Sequence, residues 1–319
     1  MTMRELLRDL PAGLPADALL ARIKGRRSFL VENWERLLLA PVPLANLTPA
    51  PWRAAASGVE DWPQQALQQE YYWVFARMEE ELRCATAPFF WLAEVRTLAI
   101  TLRLLSSGEA VDHLLSASLL ANPLRELLCQ ANDGAAAVES VAALLAGVDP
   151  AFRVVSAIYR SAGFGALETA LTEISLQHLA RNPLPPLLRS YVALLIDSRN
   201  LTTIAKRLRW RLDTLPLLLA GGTLPRPRLI ELFSRRDHPG LLHLTMRLGG
   251  EAPYSADADL EAVLYEAQGR VLRRLARAEE GIGAILYYLW RCGNEAANIA
   301  LLQRLETAGS AAVDRELRR

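Results

Sequence analysis

What this 319-residue sequence lacks narrows its work before any motif is read. It has no Gly-x-x-x-x-Gly-Lys-Ser/Thr loop, so it does not read as a nucleotide-binding chain. Its three cysteines, Cys84, Cys129 and Cys292, are scattered and without Cys-x-x-Cys spacing. They predict a reducing compartment and buried, small apolar roles rather than a disulfide framework. The four histidines, His113, His178, His238 and His243, form no metal-ligating pattern, so neither a metal nor a cofactor is expected.

Charge of one sign is missing too: 36 basic residues against 35 acidic leave a net +1 and no field to draw nucleic acid. Every basic residue except Lys24 and Lys206 is arginine, which reads as genome composition before it reads as a recognition code. The most apolar run, GIGAILYYLW at 281–290, is too short for a bilayer, and no apolar leader with a cleavage site opens the chain. The expectation is a cytosolic or peripheral protein.

What is present is helical. Apolar residues make up 51% of the chain and charged residues 22%, and the mean hydropathy of +0.12 is high for a chain that stands alone. Ile23, Leu30, Trp34, Leu37 and Leu38 predict one stripe on a long first helix, and Leu260, Val263, Leu264, Val271, Leu272 and Leu275 predict another. Breakers at 40–52, 121–124, 181–186, 221–227 and 249–255 divide the chain into helix-sized segments. The fold class that follows is all-α, with sheet content near zero.

One pattern repeats. An acid, then Asn or Thr three residues on, then Leu or Ile, occurs three times: Glu94/Thr97/Leu98, Asp197/Asn200/Leu201 and Glu295/Asn298/Ile299. The acids are 103 and 98 residues apart, and each is followed nine positions later by a basic residue, Arg103, Lys206 or Arg304. Positions i, i+3 and i+4 share a helical face, so the acid can accept a hydrogen bond from the side chain one turn on while the aliphatic residue packs inward. The basic residue lies half a turn round and must face solvent, a neighbouring helix or a partner. The acids themselves read either as buried brackets between helices or as partner contacts.

Three further stretches join the pattern. These are YVALLIDSRNLTTIAKRLRW at 191–210 running into LLLAGGTL at 217–224, GIGAILYYLWRCGNEAANIALLQRL at 281–305, and ARIKGRRSFLVENWERLLL at 21–39. With FFWLAEVRTLAITLRLL at 89–105 they resemble, in order, the C subunit of V-type (A/V-type) ATPases and ATP synthases, called subunit d in the eukaryotic enzyme. Glu94 and Thr97 depart from the family's Asp and Asn, Ala300 stands where the family tends to have Arg, and 1–18 reads as extra.

The resemblance implies a funnel of three helical lobes around a pseudo-threefold axis, at 1–110, 111–215 and 216–319. It implies a non-catalytic central-stalk part on the cytoplasmic face of the membrane. Its partners would be the other stalk subunits and the membrane rotor ring, with torque passed between them for H+ or Na+ transport. Lys206, Arg207 and Arg209 are the basic cluster expected at an interface. The competing readings are a helical scaffold unrelated to rotary ATPases, which the unit length disfavours, and an all-α enzyme.

Pairs that could mimic active sites have plainer readings. Gly163-Phe164-Gly165 and Gly281-Ile282-Gly283 read as helix joints, and Asp112-His113 and Asp237-His238 as solvated helix ends. Glu79-Glu80-Glu81 and Arg273-Arg274 read as solvated faces. Tyr71, Tyr72, Trp73, Tyr287, Tyr288 and Trp290 read as core.

Overall fold

The computed structural model describes residues 2–31, 34, 62–131, 133–249, 260–278 and 281–308. Among them are twelve α-helices and no named strand. In order they are α1 (Ala16–Arg27), α2 (Trp62–Ala76), α3 (Glu80–Ser106), α4 (Asp112–Ala117), α5 (Asn122–Gln130) and α6 (Gly134–Leu145). Then come α7 (Val155–Arg181), α8 (Pro186–Arg209), α9 (Arg226–Ser234), α10 (His238–Gly249), α11 (Leu260–Ala278) and α12 (Ile282–Ala308). The only β pairing among the described residues is two isolated bridges, Leu7 with Leu120 and Leu14 with Met78. No described helix is long and apolar enough to cross a membrane.

The breakers act as helix starts and stops. Proline occupies the first turn of α5, α8 and α9, where its missing N–H costs nothing. Asp133 caps α6 by accepting from the Ala136 N–H at 3.1 Å. Gly163 takes φ +75°, in the left-handed region, and breaks the regular path of α7, so the Gly163–Gly165 pair is a joint as expected. Gly283 starts α12 so close to α11 that a Cβ there would stand 2.6 Å from the Leu275 carbonyl oxygen.

The chain divides into two compact units, one of Met1–Asp9 with Arg83–Val271 and one of Leu10–Leu82 with Leu272–Arg319. In the first, Trp91 on α3 is fully buried and donates to Ser175 Oγ on α7 at 3.0 Å. A cluster of Leu201, Ile204 and Leu208 on α8 with Leu229, Leu232, Phe233 and Leu264 forms a core beneath the 212–224 loop. Residues 6–8, within the 1–18 segment that the sequence marks as extra, are tied in: Arg8 N–H donates to Leu119 O at 2.7 Å and Ala121 N–H to Leu6 O at 2.8 Å. Leu6 and Leu7 are buried.

In the second unit α12 packs against α2 and α1. Arg26 on α1 grips Glu70 on α2 with two donors, Nε at 2.8 Å and Nη2, and the Tyr288 hydroxyl on α12 donates to the same carboxylate at 2.7 Å. Burial pushes the Tyr288 hydroxyl well above its ordinary value, with the Cys292 thiol and the Glu70 charge acting in the same direction. Trp73 lies between Arg26 and Arg77, whose guanidinium carbons are 4.2 and 4.6 Å from its ring centre.

Two expectations need correction. The long first helix ends at Arg27 and turns, so Ile23 and Leu30 do not share one continuous stripe; Leu30 and Trp34 are buried, and Leu37 and Leu38 lie outside the described residues. Three basic residues, Lys24, Arg26 and Arg27, stand in its last turn, where positive charge suits a helix C-terminus. Only Cys292 of the three cysteines is buried; Cys84 and Cys129 are exposed. Arg273 and Arg274 are exposed as expected, and Arg273 Nε also donates to the Tyr287 hydroxyl at 3.1 Å.

The Glu70 carboxylate is almost wholly buried, so each bond to it is worth more than an exposed one. Tyr288→Phe removes one donor and is expected to lower stability to denaturant by about 1.5–3 kcal/mol, without changing helix content by circular dichroism.

Candidate functional site

All three motif acids sit on long helices and are nearly inaccessible: Glu94 on α3 is 4% exposed, Asp197 on α8 0% and Glu295 on α12 2%. A carboxylate cannot be buried uncompensated, and each finds backbone donors in a segment that leads into a helix. Glu94 accepts from Ser118 Oγ at 2.7 Å and from the Leu119 N–H at 2.9 Å, just before α5. Asp197 accepts from the Thr223 N–H at 2.8 Å, from Thr223 Oγ1 at 2.6 Å and from the Leu224 N–H at 3.1 Å, just before α9. Glu295 accepts from the Val31 N–H at 3.4 Å, shortly before helical Trp34, while Arg291 Nη2 donates to the Val31 carbonyl at 2.8 Å. Glu94 and Asp197 are thus brackets that fix helix entrances, and Glu295 holds the chain at Val31.

The Asn/Thr position does not act uniformly. Thr97 donates to Glu94, as helical spacing predicts. Asn200 instead turns away from Asp197 and clamps Leu219 by both backbone groups, its Nδ2 donating at 3.0 Å and its Oδ1 accepting at 2.8 Å. Asp197 is already saturated by the 223–224 backbone, so the amide serves the same loop one turn on. Asn298 is 1% exposed.

Glycine makes the second bracket possible. Gly221 takes φ +99°, and a Cβ on Gly222 would stand 2.0 Å from Asp197 Oδ1. The Gly221-Gly222 break therefore lets the loop lie directly on the carboxylate.

The basic positions are distributed differently. Arg103 pairs with Glu168 on α7 at 3.2 Å and Lys206 with Glu261 on α11 at 3.1 Å; all four side chains are about half exposed, so these pairs add little stability. Arg207 Nη1 donates to Thr214 Oγ1 at 2.7 Å and props the loop after α8. Arg209 is exposed and has no ion-pair partner among the described residues. Arg304 lies in α12 with its side chain outside the described residues.

The sequence reading passed over one cluster. Asp149, 8% exposed, caps the turn at Pro150–Val154 and accepts from the Ala151 N–H at 2.9 Å, from His178 Nδ1 at 3.0 Å and from Arg181 Nη2 at 3.1 Å. Burial would push its carboxyl up, but these donors together hold it below its ordinary value. Asp before Pro is a legible cap, whereas partners 29 and 32 residues away are not. Asp112 and Asp237 are helix ends as expected, the latter accepting from the Gly240 N–H at 2.8 Å. No group of three or more metal-ligating side chains occurs among the described residues.

Burial pushes the Glu295 carboxyl up from 4.5 to about 7, against the pull of the Val31 bond and the Arg291 charge. The folded state therefore holds its proton more tightly than the unfolded state, and stability from this group is present below about pH 4.5 and lost as pH rises to about 7. Glu295→Gln keeps an acceptor for Val31 and removes the charge. Its stability relative to the parent is expected to rise across that window, by an amount on the order of 3 kcal/mol, in denaturant titrations at stepped pH. Gly222→Ala should cost about 1–3 kcal/mol by driving a methyl group into Asp197. Gly25→Ala, in α1 with open space around it, should instead gain about 0.5–1 kcal/mol in the same melting series.

A family model described as ATP synthase (C/AC39) subunit matches residues 64–310, a span that holds all three acid motifs and begins after the 21–39 stretch. A search of curated proteins finds no match. A family match over most of an all-α chain leads to one conclusion: the chain belongs to the ATP synthase (C/AC39) subunit family, a subunit family of rotary ATPases.

Proposed function

We propose that this chain is the non-catalytic central-stalk socket of a rotary V-type ATPase or ATP synthase, gripping the central shaft and passing torque to the membrane rotor ring for H+ or Na+ transport. The observation that carries the reading is the recurrence of the acid bracket. Glu94, Asp197 and Glu295 each hold a backbone N–H of a distant stretch of chain, as three related lobes at 1–110, 111–215 and 216–319 around a pseudo-threefold axis would use them. A part that transmits torque must resist shear, and buried carboxylates bound to backbone are suited to that because breaking one leaves a desolvated charge. The chain sits at the cytoplasmic face as a peripheral subunit, and its partners are the stalk subunits and the ring.

Co-purification tests it: tagged chain is expected to bring down stalk and ring subunits from the reconstituted complex, and saturable ATP binding by the isolated chain in calorimetry would count against the socket role. The basic end of α8 is a contact in this reading. Because Arg207 is engaged with Thr214, Arg209→Glu is the cleaner reversal. It should weaken assembly about tenfold, increasingly as salt is lowered, with the melting temperature unchanged. A large loss of stability in that variant would assign Arg209 to internal packing.

A further inference from the structure

The loop that follows α8 is built in an unusual way. Trp210, Leu212, Leu215 and Leu217 are 65%, 41%, 44% and 82% exposed, so four large apolar side chains face water within eight residues. The alternation is regular: Pro216 and Leu218 point into the core beneath while Leu215 and Leu217 point out. The loop is also held in place. Arg207 donates to Thr214 at 2.7 Å, Arg236 on the turn after α9 pairs with Asp213, and Asn200 clamps Leu219. An apolar loop pinned at three points is preformed rather than collapsed.

Beside it lies a cleft of about 190 Å³, floored by Leu208, Ile230 and Phe233 and edged by Leu212 and Leu215, with Arg211 and Arg236 at its rim. Between residues 206 and 237 the sequence carries eight basic residues against three acidic, in a chain whose net charge is only +1. The acids there are engaged: Asp213 pairs with Arg236, and Glu231 pairs with Arg228 at 2.7 Å and Arg235 at 3.0 Å. Arg209 and Arg211 remain exposed without an ion-pair partner among the described residues. Concentrated positive charge around a concave apolar site calls for an occupant of matching shape and opposite sign.

We infer that this shoulder docks an acidic, amphipathic helical segment of a partner protein. An apolar side chain of that segment enters the cleft against Leu215, Ile230 and Phe233, and its flanking carboxylates meet Arg209 and Arg211. The concavity favours a protein over a bilayer, because a membrane surface has no side chain to fill a cleft. The inference deepens the coupling-subunit reading and rests on it for the existence of a partner. Its test uses the isolated chain, so failure here leaves co-purification with stalk and ring to be judged separately.

The probe is a fluorescein-labelled helical peptide of Glu and Leu at amphipathic spacing, titrated with the full chain by anisotropy. Matched peptides with Gln or Lys in place of Glu, and vesicles of phosphatidylcholine with or without phosphatidylglycerol, serve as comparators. Saturable binding of the Glu peptide, weakening as salt rises and greatly reduced for the Gln and Lys peptides, is expected. Leu217→Ser with Leu215→Ser should weaken it about tenfold or more, and Arg209→Gln with Arg211→Asn by a similar factor, both with unchanged circular dichroism and melting temperature. Asn is chosen at 211 because that residue has φ +54°. Absence of saturable binding, equal binding of the Lys peptide, or indifference to Leu217→Ser would overturn the proposal. Tighter binding to phosphatidylglycerol vesicles than to the Glu peptide, lost in the same variants, would overturn it in favour of a membrane surface.

Discussion

A carboxylate taken out of water and held by backbone N–H groups is the interaction on which the rest of this structure depends. Left alone, such a group would be protonated or would pull its helix apart. Held by the next segment's N–H groups, it becomes a fixed joint between a long helix and the start of another. Asp197 does this with three described loop donors, Glu94 with two and Glu295 with one. Glu94 has two loop donors besides Thr97, and burial still pushes its carboxyl above the ordinary value, against those bonds and the charge of Arg8. Glu295, with one long bond, is pushed to about 7.

The surroundings of each joint follow from its demand for donors. Asp197 is served by three, and the close approach they require excludes any side chain at 222. Having no need of Asn200, it leaves that amide to clamp Leu219, and the two residues together fix both ends of the 219–224 loop. The outward-facing leucines at 215 and 217 are a consequence, because a loop pinned at its far end and propped by Arg207 cannot fold its apolar tip back into the core. The carboxylate bracket, the clamp on Leu219 and the prop at Thr214 thus all come from one helix, α8.

Ion pairs on the outside do a different job. Arg103 with Glu168 and Lys206 with Glu261 join helices but remain half exposed, where screening reduces them to small contributions. Asp149 with His178 and Arg181, and Glu70 with Arg26 and Tyr288, are buried enough for removal of one partner to be costly. The rigidity of this protein therefore lies in a few desolvated carboxylates rather than in the number of its charges.

The all-α class, the helix joints at proline and glycine, and the three acid motifs were legible in the sequence because each is local: helical periodicity and breakers act within one or two turns. The tertiary structure decided what each acid holds. Glu94 reaches a loop 24 residues on, Asp197 one 26 residues on, and Glu295 reaches Val31 across 264 residues, a closure no periodicity encodes. Burial is likewise a property of the packed whole, so only the fold could show Asn200 turning to Leu219 or Arg207 to Thr214. The pinning of residues 6–8 against 119–121 belongs to the same class. Sequence sets which groups are available; the geometry of chain closure sets which of them meet.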